Sequence, residues 1–201
     1  MQVKLSNHSV QIQYQMSIAK RAVAQCYQTK ELTAEKVYRY GKQHRTIMEL
    51  FELDFSISGI SYLSHVHLIR HRHTTPFVQS QRYTETNNVI LPYDLPDPME
   101  LNISGKERKR RQRLSDAFEQ AYHEAYLIYY RLISAGATKE QARYFAPQGA
   151  DINMNLHLNL RAFIEMYEKR TAKNVLAETR TIVEMMMDII SANEILGGFV
   201  K

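Results

Sequence analysis

At 201 residues, with 44% hydrophobic and 23% charged side chains, the chain has the composition of a soluble globular protein and the length to close one core. Its net charge of +5 suits an anionic small ligand or a nucleic acid. No apolar run approaches the roughly 20 residues that span a bilayer, the start Met1-Gln2-Val3-Lys4 has no signal-peptide core, and the one cysteine, Cys26, excludes an internal disulfide, so a cytoplasmic setting is expected.

In chain order, residues 15–27 and 31–50 read as helices, the second opened by Thr33-Ala-Glu-Lys36. The period then changes: Phe51, Leu53, Phe55 and Ile57 alternate with Glu52, Asp54, Ser56 and Ser58, the pattern of a half-buried strand. Gly59 interrupts it, and Ile60, Leu63, Val66 and Ile69 return at helical spacing, which places Arg70 at a helix end. Pro92, Pro96 and Pro98 mark an irregular crossover before a long helix at about 107–135. Gly136 suits that helix's C-terminal cap, and Thr138-Lys-Glu-Gln141 has the form of a capping box for a short helix closed by Pro147. Ile152, Met154, Leu156, Leu158 and Leu160 then alternate with Asn153, Asn155, His157, Asn159 and Arg161, giving a strand with one apolar and one polar face. A last helical region covers about 162–194, with Met185–Met187 as core filler. The expectation is a mixed α/β (α+β) fold, one domain over residues 1–201 with a central mixed sheet flanked by long helices.

Arg70-His71-Arg72, followed by Ser80-Gln81-Arg82-Tyr83, gathers cationic groups, a hydroxyl and an aromatic ring within fourteen residues. Guanidinium forks hold phosphate oxygens bidentately, and a ring can stack on a base, so a phosphate-bearing ligand fits this inventory. With 7 glycines and neither a dinucleotide fingerprint nor a Walker loop, such a ligand has to be held by side chains. Two competing readings are weaker. His65, His67, His71 and His73 suggest a metal, but on a helix His65 and His67 do not face each other, and Arg70 and Arg72 would repel the ion, so no metal site is expected. The basic run Lys106–Arg113 reads as a solvated loop or helix start before it reads as a nucleic-acid contact. Cys26 has no basic cluster nearby in sequence and reads as a small buried apolar residue.

Arg70-His-Arg72 followed, after seven intervening residues, by Ser80 resembles the signature of the flavin-dependent thymidylate synthases. Three further segments carry the resemblance in the same order: His44-Arg-Thr46-Ile-Met-Glu49; Ala135-Gly-Ala-Thr-Lys-Glu-Gln-Ala-Arg143 with Pro147; and Asn159-Leu-Arg161 with Arg170 and Glu178. The resemblance implies a homotetramer holding FAD at subunit interfaces. It implies dTMP made from dUMP, with methylenetetrahydrofolate giving the carbon, NADPH reducing the flavin, and no protein nucleophile on the uracil ring. By position it assigns His67, Arg70, Gln79, Ser80, Gln81, Arg82, Arg143 and Arg170 to dUMP, with Arg170 as the catalytic residue stabilising charge on a pyrimidine carbonyl. It assigns Thr46, Glu49, Arg70, His71, Arg72, Asn159 and Arg161 to FAD.

The chain departs from the family at several places. Thr75-Pro-Phe-Val78 replaces a polar Ser-x-Asn-Glu, Glu165 stands where the family has Asn or His, Asn174 replaces a His, and His67 replaces a glutamine. Phe77 should then either stack on the ligand or fill the flavin pocket. Two alternatives stay open beside the synthase: a relative with altered pyrimidine-nucleotide chemistry such as dUMP hydroxymethylation, and a non-catalytic nucleotide- or nucleic-acid-binding protein.

Overall fold

Two stretches of period-two alternation become the central strands of a sheet. In the computed structural model, which describes residues 1–29, 32–85 and 88–200, β1 (Gln2–Leu5), β2 (Glu52–Ser61), β3 (Thr74–Val78) and β4 (Asp151–Asn159) form one four-stranded sheet in the order β1-β2-β4-β3. All three pairings are antiparallel. The sheet is therefore not mixed in direction as expected: β2 and β4 meet head to tail, and the helices between them do not act as parallel crossovers.

Register puts Leu53 opposite Leu158, Phe55 opposite Leu156 and Ile57 opposite Met154, all buried on one face. Against that face pack Ile12, Met16 and Val23 of α1 (Ser9–Tyr27), Val37 of α2 (Ala34–Gln43), Phe163 and Met166 of α6 (Leu160–Arg170), and Ile182, Val183 and Met186 of α7 (Ala177–Ala192). The other face is open. Asp54 and Ser56 lie beside His157 and Asn155, and β3 adds Thr75 and Phe77. There the His157 ring lies 2.6 Å from Asp54 Oδ1 through Nδ1 and 3.1 Å from Glu52 Oε2 through Nε2.

Gly59 does not end β2. It sits at φ +66° where the register shifts between Ile57 and Ile60, a bulge that keeps both isoleucines buried and turns the chain into α3 (Tyr62–Leu68). The helix expected from Ile60 therefore starts two residues later, capped by the Ser61 side chain, which accepts from Ser64 N–H at 3.1 Å. Under that cap lies Glu178 of α7, only 4% exposed. Its carboxylate accepts from Ser61 N–H at 2.8 Å, from the Ser61 hydroxyl and from the Ser64 hydroxyl at 2.7 Å. α7 thus anchors the start of α3, and α3 delivers the Arg70 segment.

Local signals elsewhere are realised with shifts. Thr33 caps α2, but regular helix stops at Gln43 and Arg45–Leu50 is a 3₁₀ turn; the start expected at residue 31 lies outside the described residues. α1 begins at Ser9, six residues before the expected start. The helical region expected over about 162–194 consists of two helices, α6 and α7, with bends and turns over Thr171–Val175 between them. Gly197–Val200 adds a short α8, and Phe199 packs edge-on to Phe51 and Tyr38.

The long helix α4 (Gly105–Ser134) ends in a Schellman motif. Gly136, at φ +96°, donates to Ile133 O and Ala137 N–H donates to Leu132 O. The capping box of α5 (Lys139–Ala142) forms as expected between Thr138 and Gln141. α4 buries only Tyr129, while Leu114, Leu127, Ile128 and Tyr130 are exposed. The basic run is the first turns of α4, where Glu107 binds Arg110 and Arg111. No helix among the described residues is long and apolar enough to cross a membrane.

Candidate functional site

The Arg70–His73 segment is the short connection between α3 and the edge strand β3, fixed where Thr74 Oγ1 donates to His71 O at 2.8 Å. The last turn of α6 carries Lys169 and Arg170 to the same place. Arg170 Nε donates to His71 Nε2 at 2.8 Å, and its Nη2 donates to the His67 carbonyl at 2.8 Å. Since Nε2 of His71 accepts, the neutral ring carries its hydrogen on Nδ1. Burial first, then Arg170 and Lys169, push the His71 pKa down to about 4. Burial and the neighbouring Arg70 lower Arg170, and burial with Arg170 and Arg70 lowers His67.

Arg70, Arg72, Lys169 and Arg170 surround a cavity of about 440 Å³ closed by His71, His73, Ala162 and Glu165. The four cations, with the neutral His71 ring among them and Glu165 as the one carboxylate of the lining, repel one another, and an anion entering the cavity relieves that repulsion. The His71 pairing has a pH signature. An unfolded chain protonates this ring near about 6.5, and the folded one only near about 4. Stability should therefore fall as pH drops through that window and flatten below it, because the unfolded state binds the extra proton. Urea midpoints between pH 7 and 4 check this, with His71→Asn expected to remove part of the slope.

A cavity of about 350 Å³ shares His73, Ala162 and Glu165 with the first and adds Glu49, Asn159 and Arg161. Here Arg161 is already engaged, Nη1 on Glu49 at 2.6 Å and Nε on Glu165 at 3.1 Å. Asn159 caps α6, its Oδ1 accepting from Ala162 N–H at 2.9 Å, which leaves its Nδ2 hydrogens for the cavity. Thr46 is exposed in the 3₁₀ turn and lines neither space.

A third cavity, about 380 Å³, lies at Gln79, Gln81, Arg143, Tyr144 and Gln148, backed by Tyr62, Val78, Pro147 and Ile152. Ser80 Oγ accepts from Arg82 N–H at 3.3 Å, and Arg82 and Arg143 both pair with Glu140. The nucleotide set of the sequence thus divides in two. Arg70 and Arg170 line the cationic cavity, with His67 joined to Arg170 through its carbonyl. Gln79, Gln81 and Arg143 line the other, with Ser80 next to Gln79 in the chain and Arg82 joined to Arg143 through Glu140. The two cavities share no lining residue.

Lys169, His73, Glu140 and Tyr144 were not assigned from the sequence. Lys169 had a signal, since it precedes Arg170 at a helix end; Glu140 had a local one three residues before Arg143, but its pairing with Arg82 joins distant parts of the chain. Phe77 is 66% exposed on the open sheet face and lines none of the three cavities. Cys26 is exposed at the end of α1, not buried, because its turn of the helix extends past the sheet's apolar face.

A family model described as thymidylate synthase complementing protein matches residues 5–193. A flavin-dependent thymidylate synthase of Sulfolobus acidocaldarius is 28% identical over 167 residues, covering 81% of this chain and 60% of the relative. One of Pyrococcus abyssi is 27% identical over 168 residues, covering 83% and 64%. This chain spans between 51% and 64% of the length of the first curated relatives it matches. Among solved structures, Thymidylate Synthase X of Helicobacter pylori, with FAD and dUMP, superposes at TM-score 0.72 and 20% identity, covering 94% of this chain and 92% of that one. The UMP/dUMP methylase PolB of Streptomyces cacaoi, bound with 5-Br dUMP, superposes at TM-score 0.75 and 20% identity, covering 99% and 94%.

Proposed function

Because the chain belongs to the thymidylate synthase complementing protein family, we propose that it is an enzyme of one domain making dTMP from dUMP, with methylenetetrahydrofolate as carbon donor and FAD reduced by NADPH. The observation that carries this reading is Arg170, held on neutral His71 and the His67 carbonyl at the edge of a cavity with four cations. In this role Arg170 stabilises negative charge developing on a pyrimidine carbonyl, a charge its fixed guanidinium meets without reorganising. His67 and Arg70 bind beside it, while Gln79, Ser80, Gln81, Arg82 and Arg143 take the rest of dUMP, chiefly its phosphate.

The cation set around Arg70, His71 and Arg72 fits the diphosphate of FAD, with Glu49, Asn159 and Arg161 of the adjoining cavity as further contacts. Thr46 is reached only by a part of FAD that extends beyond both cavities. A flavin held there and reduced by NADPH would supply the hydride that completes the methyl group. The protein's own part is to hold the pyrimidine, neutralise its charge and keep His71 unprotonated as the acceptor for Arg170. A homotetramer with sites between subunits is supported by two features. The dUMP residues lie at separate cavities of one chain, and α4 leaves Leu114, Leu127 and Ile128 exposed. The cytoplasmic setting belongs to the same proposal.

One observation favours a second reading, a relative with altered pyrimidine-nucleotide chemistry. Glu165 places a carboxylate on Arg161 where the family has an amide or imidazole, so one flavin contact is already satisfied inside the protein. Turnover of dUMP with methylenetetrahydrofolate, NADPH and FAD separates the two by the identity of the product. In the same protein, Arg143→Ala should weaken dUMP binding by about 1.5–3 kcal/mol, the contribution of a hydrogen bond to a charged group. Unchanged affinity by calorimetry removes Arg143 from the site.

A further inference from the structure

The segment from Gln79 to Glu85 is tied to α5 by a charge network beside the Arg143 cavity. Arg82 Nη2 lies 3.0 Å from Glu140 Oε2, and Arg143 Nη2 lies 3.7 Å from Glu140 Oε1, so one carboxylate serves both guanidinium groups. Next to it Lys139 pairs with Glu85 at 3.1 Å, and its Nζ donates to the Tyr83 carbonyl at 3.4 Å. Gln79 completes the arrangement, accepting from Asn153 Nδ2 at 3.0 Å and donating to Thr84 Oγ1 at 3.1 Å. Arg82 and Arg143 are the cations offered to a nucleotide phosphate, and the donors they would use are turned to Glu140.

We infer that Glu140 is a built-in counter-anion at this site, so that a phosphomonoester binds by displacing its carboxylate from Arg82 and Arg143. This rests on the reading of those two arginines as the phosphate site. The chemistry supports an exchange, because a guanidinium fork presents the same paired N–H donors to a carboxylate and to a phosphate. The energetics support an easy one. The Arg82, Glu140 and Arg143 side chains are 50%, 47% and 36% exposed, and ion pairs at such exposure contribute little and weaken with salt. Glu140 thus keeps the arginines folded toward the site when no ligand is present, yet holds them loosely. It also stays close enough after displacement to weaken the grip on phosphate, which favours release of a nucleotide product.

Calorimetric titration of the whole chain with inorganic phosphate, dUMP and deoxyuridine at low salt tests this. Glu140→Gln should tighten phosphate and dUMP by about two- to fivefold, the range expected when one exposed ion pair no longer competes. Deoxyuridine, which lacks the phosphate, should bind as to wild type, and the gain should shrink as salt is raised. Glu140→Asp keeps the charge in the first turn of α5 with a shorter reach and should fall between the two. Circular dichroism establishes that the variants are folded; the Thr138–Gln141 capping box that starts α5 is untouched by either change. Unchanged or weaker dUMP binding by folded Glu140→Gln overturns the inference and makes Glu140 a strut that orients the arginines. Should Arg82→Ala and Arg143→Ala bind dUMP as well as wild type, the phosphate-site reading itself fails. Binding of dUMP by neither wild type nor Glu140→Gln overturns both.

Discussion

Replacing Arg170 with alanine is expected to lower kcat for dTMP formation by about 10²–10³, the loss that follows removal of one preorganised donor from a developing oxyanion. Arg170 is not a loose surface cation. Its Nε is bonded to His71 Nε2 and its Nη2 to the His67 carbonyl, so the rest of the guanidinium has a defined direction. Arg70 nearby makes the concentration of positive charge unfavourable until an anion arrives. Arg170→Lys should recover little of the loss, because one ammonium group cannot reproduce a planar fork bonded at two points. Flavin absorbance and dUMP affinity measured on the same variants separate a catalytic defect from an empty site. Activity within threefold of wild type in a folded, flavin-loaded Arg170→Ala protein would remove Arg170 from the chemistry.

Glu178→Ala should lower the unfolding free energy by about 2–4 kcal/mol, measured from urea transitions. The carboxylate is 4% exposed and receives three donors, Ser61 N–H and the Ser61 and Ser64 hydroxyls. Removing it leaves those donors inside the protein with a cavity in place of their acceptor. The hydroxyls can turn toward other oxygens, which keeps the cost below the sum of three bonds to a charged group. Glu178→Gln retains an accepting oxygen and should lose about half as much. Beyond stability, α3 would lose its anchor, so the positions of His67 and Arg70 depend on a residue that touches no ligand. A loss below about 1 kcal/mol in Glu178→Ala would mean that the buried carboxylate costs nearly as much to desolvate as its hydrogen bonds return.

What could be read from the sequence was local. The alternation in β2 and β4 gave both central strands, since a period of two survives whatever the strands pair with. The Thr33 cap, the Gly136 terminus and the Thr138 capping box depend on contacts within five residues and appear in the structure where expected. β1 spans only Gln2–Leu5, too short to show a period. β3 was hidden by Pro76, which lacks the N–H of a ladder donor and is tolerated because β3 is an edge strand. The same limit applies to the site. Arg70, His71 and Arg72 were visible as a motif, but the hydrogen bond that makes His71 an acceptor for Arg170 joins residues 99 positions apart. The i,i+4 pair Arg161–Glu165 is local, but residue types could not reveal that Glu49 would also close on Arg161, because that requires α6 to pack beside the 3₁₀ turn at Arg45–Leu50.

The order β1-β2-β4-β3 also sets a timetable for synthesis. β2 is complete at Ser61, but its central partner does not begin until Asp151. At about 5–20 residues per second, the ribosome needs roughly 5–20 s to deliver it. Throughout that interval Leu53, Phe55 and Ile57 belong to a nascent strand with β1 on one side and an unsatisfied edge on the other. Such an edge is a template for pairing with neighbouring nascent chains. The bond ladder that joins the two central strands is thus a late event of translation, followed by the docking of α6, α7 and α8, and the chain depends on staying unassociated until then.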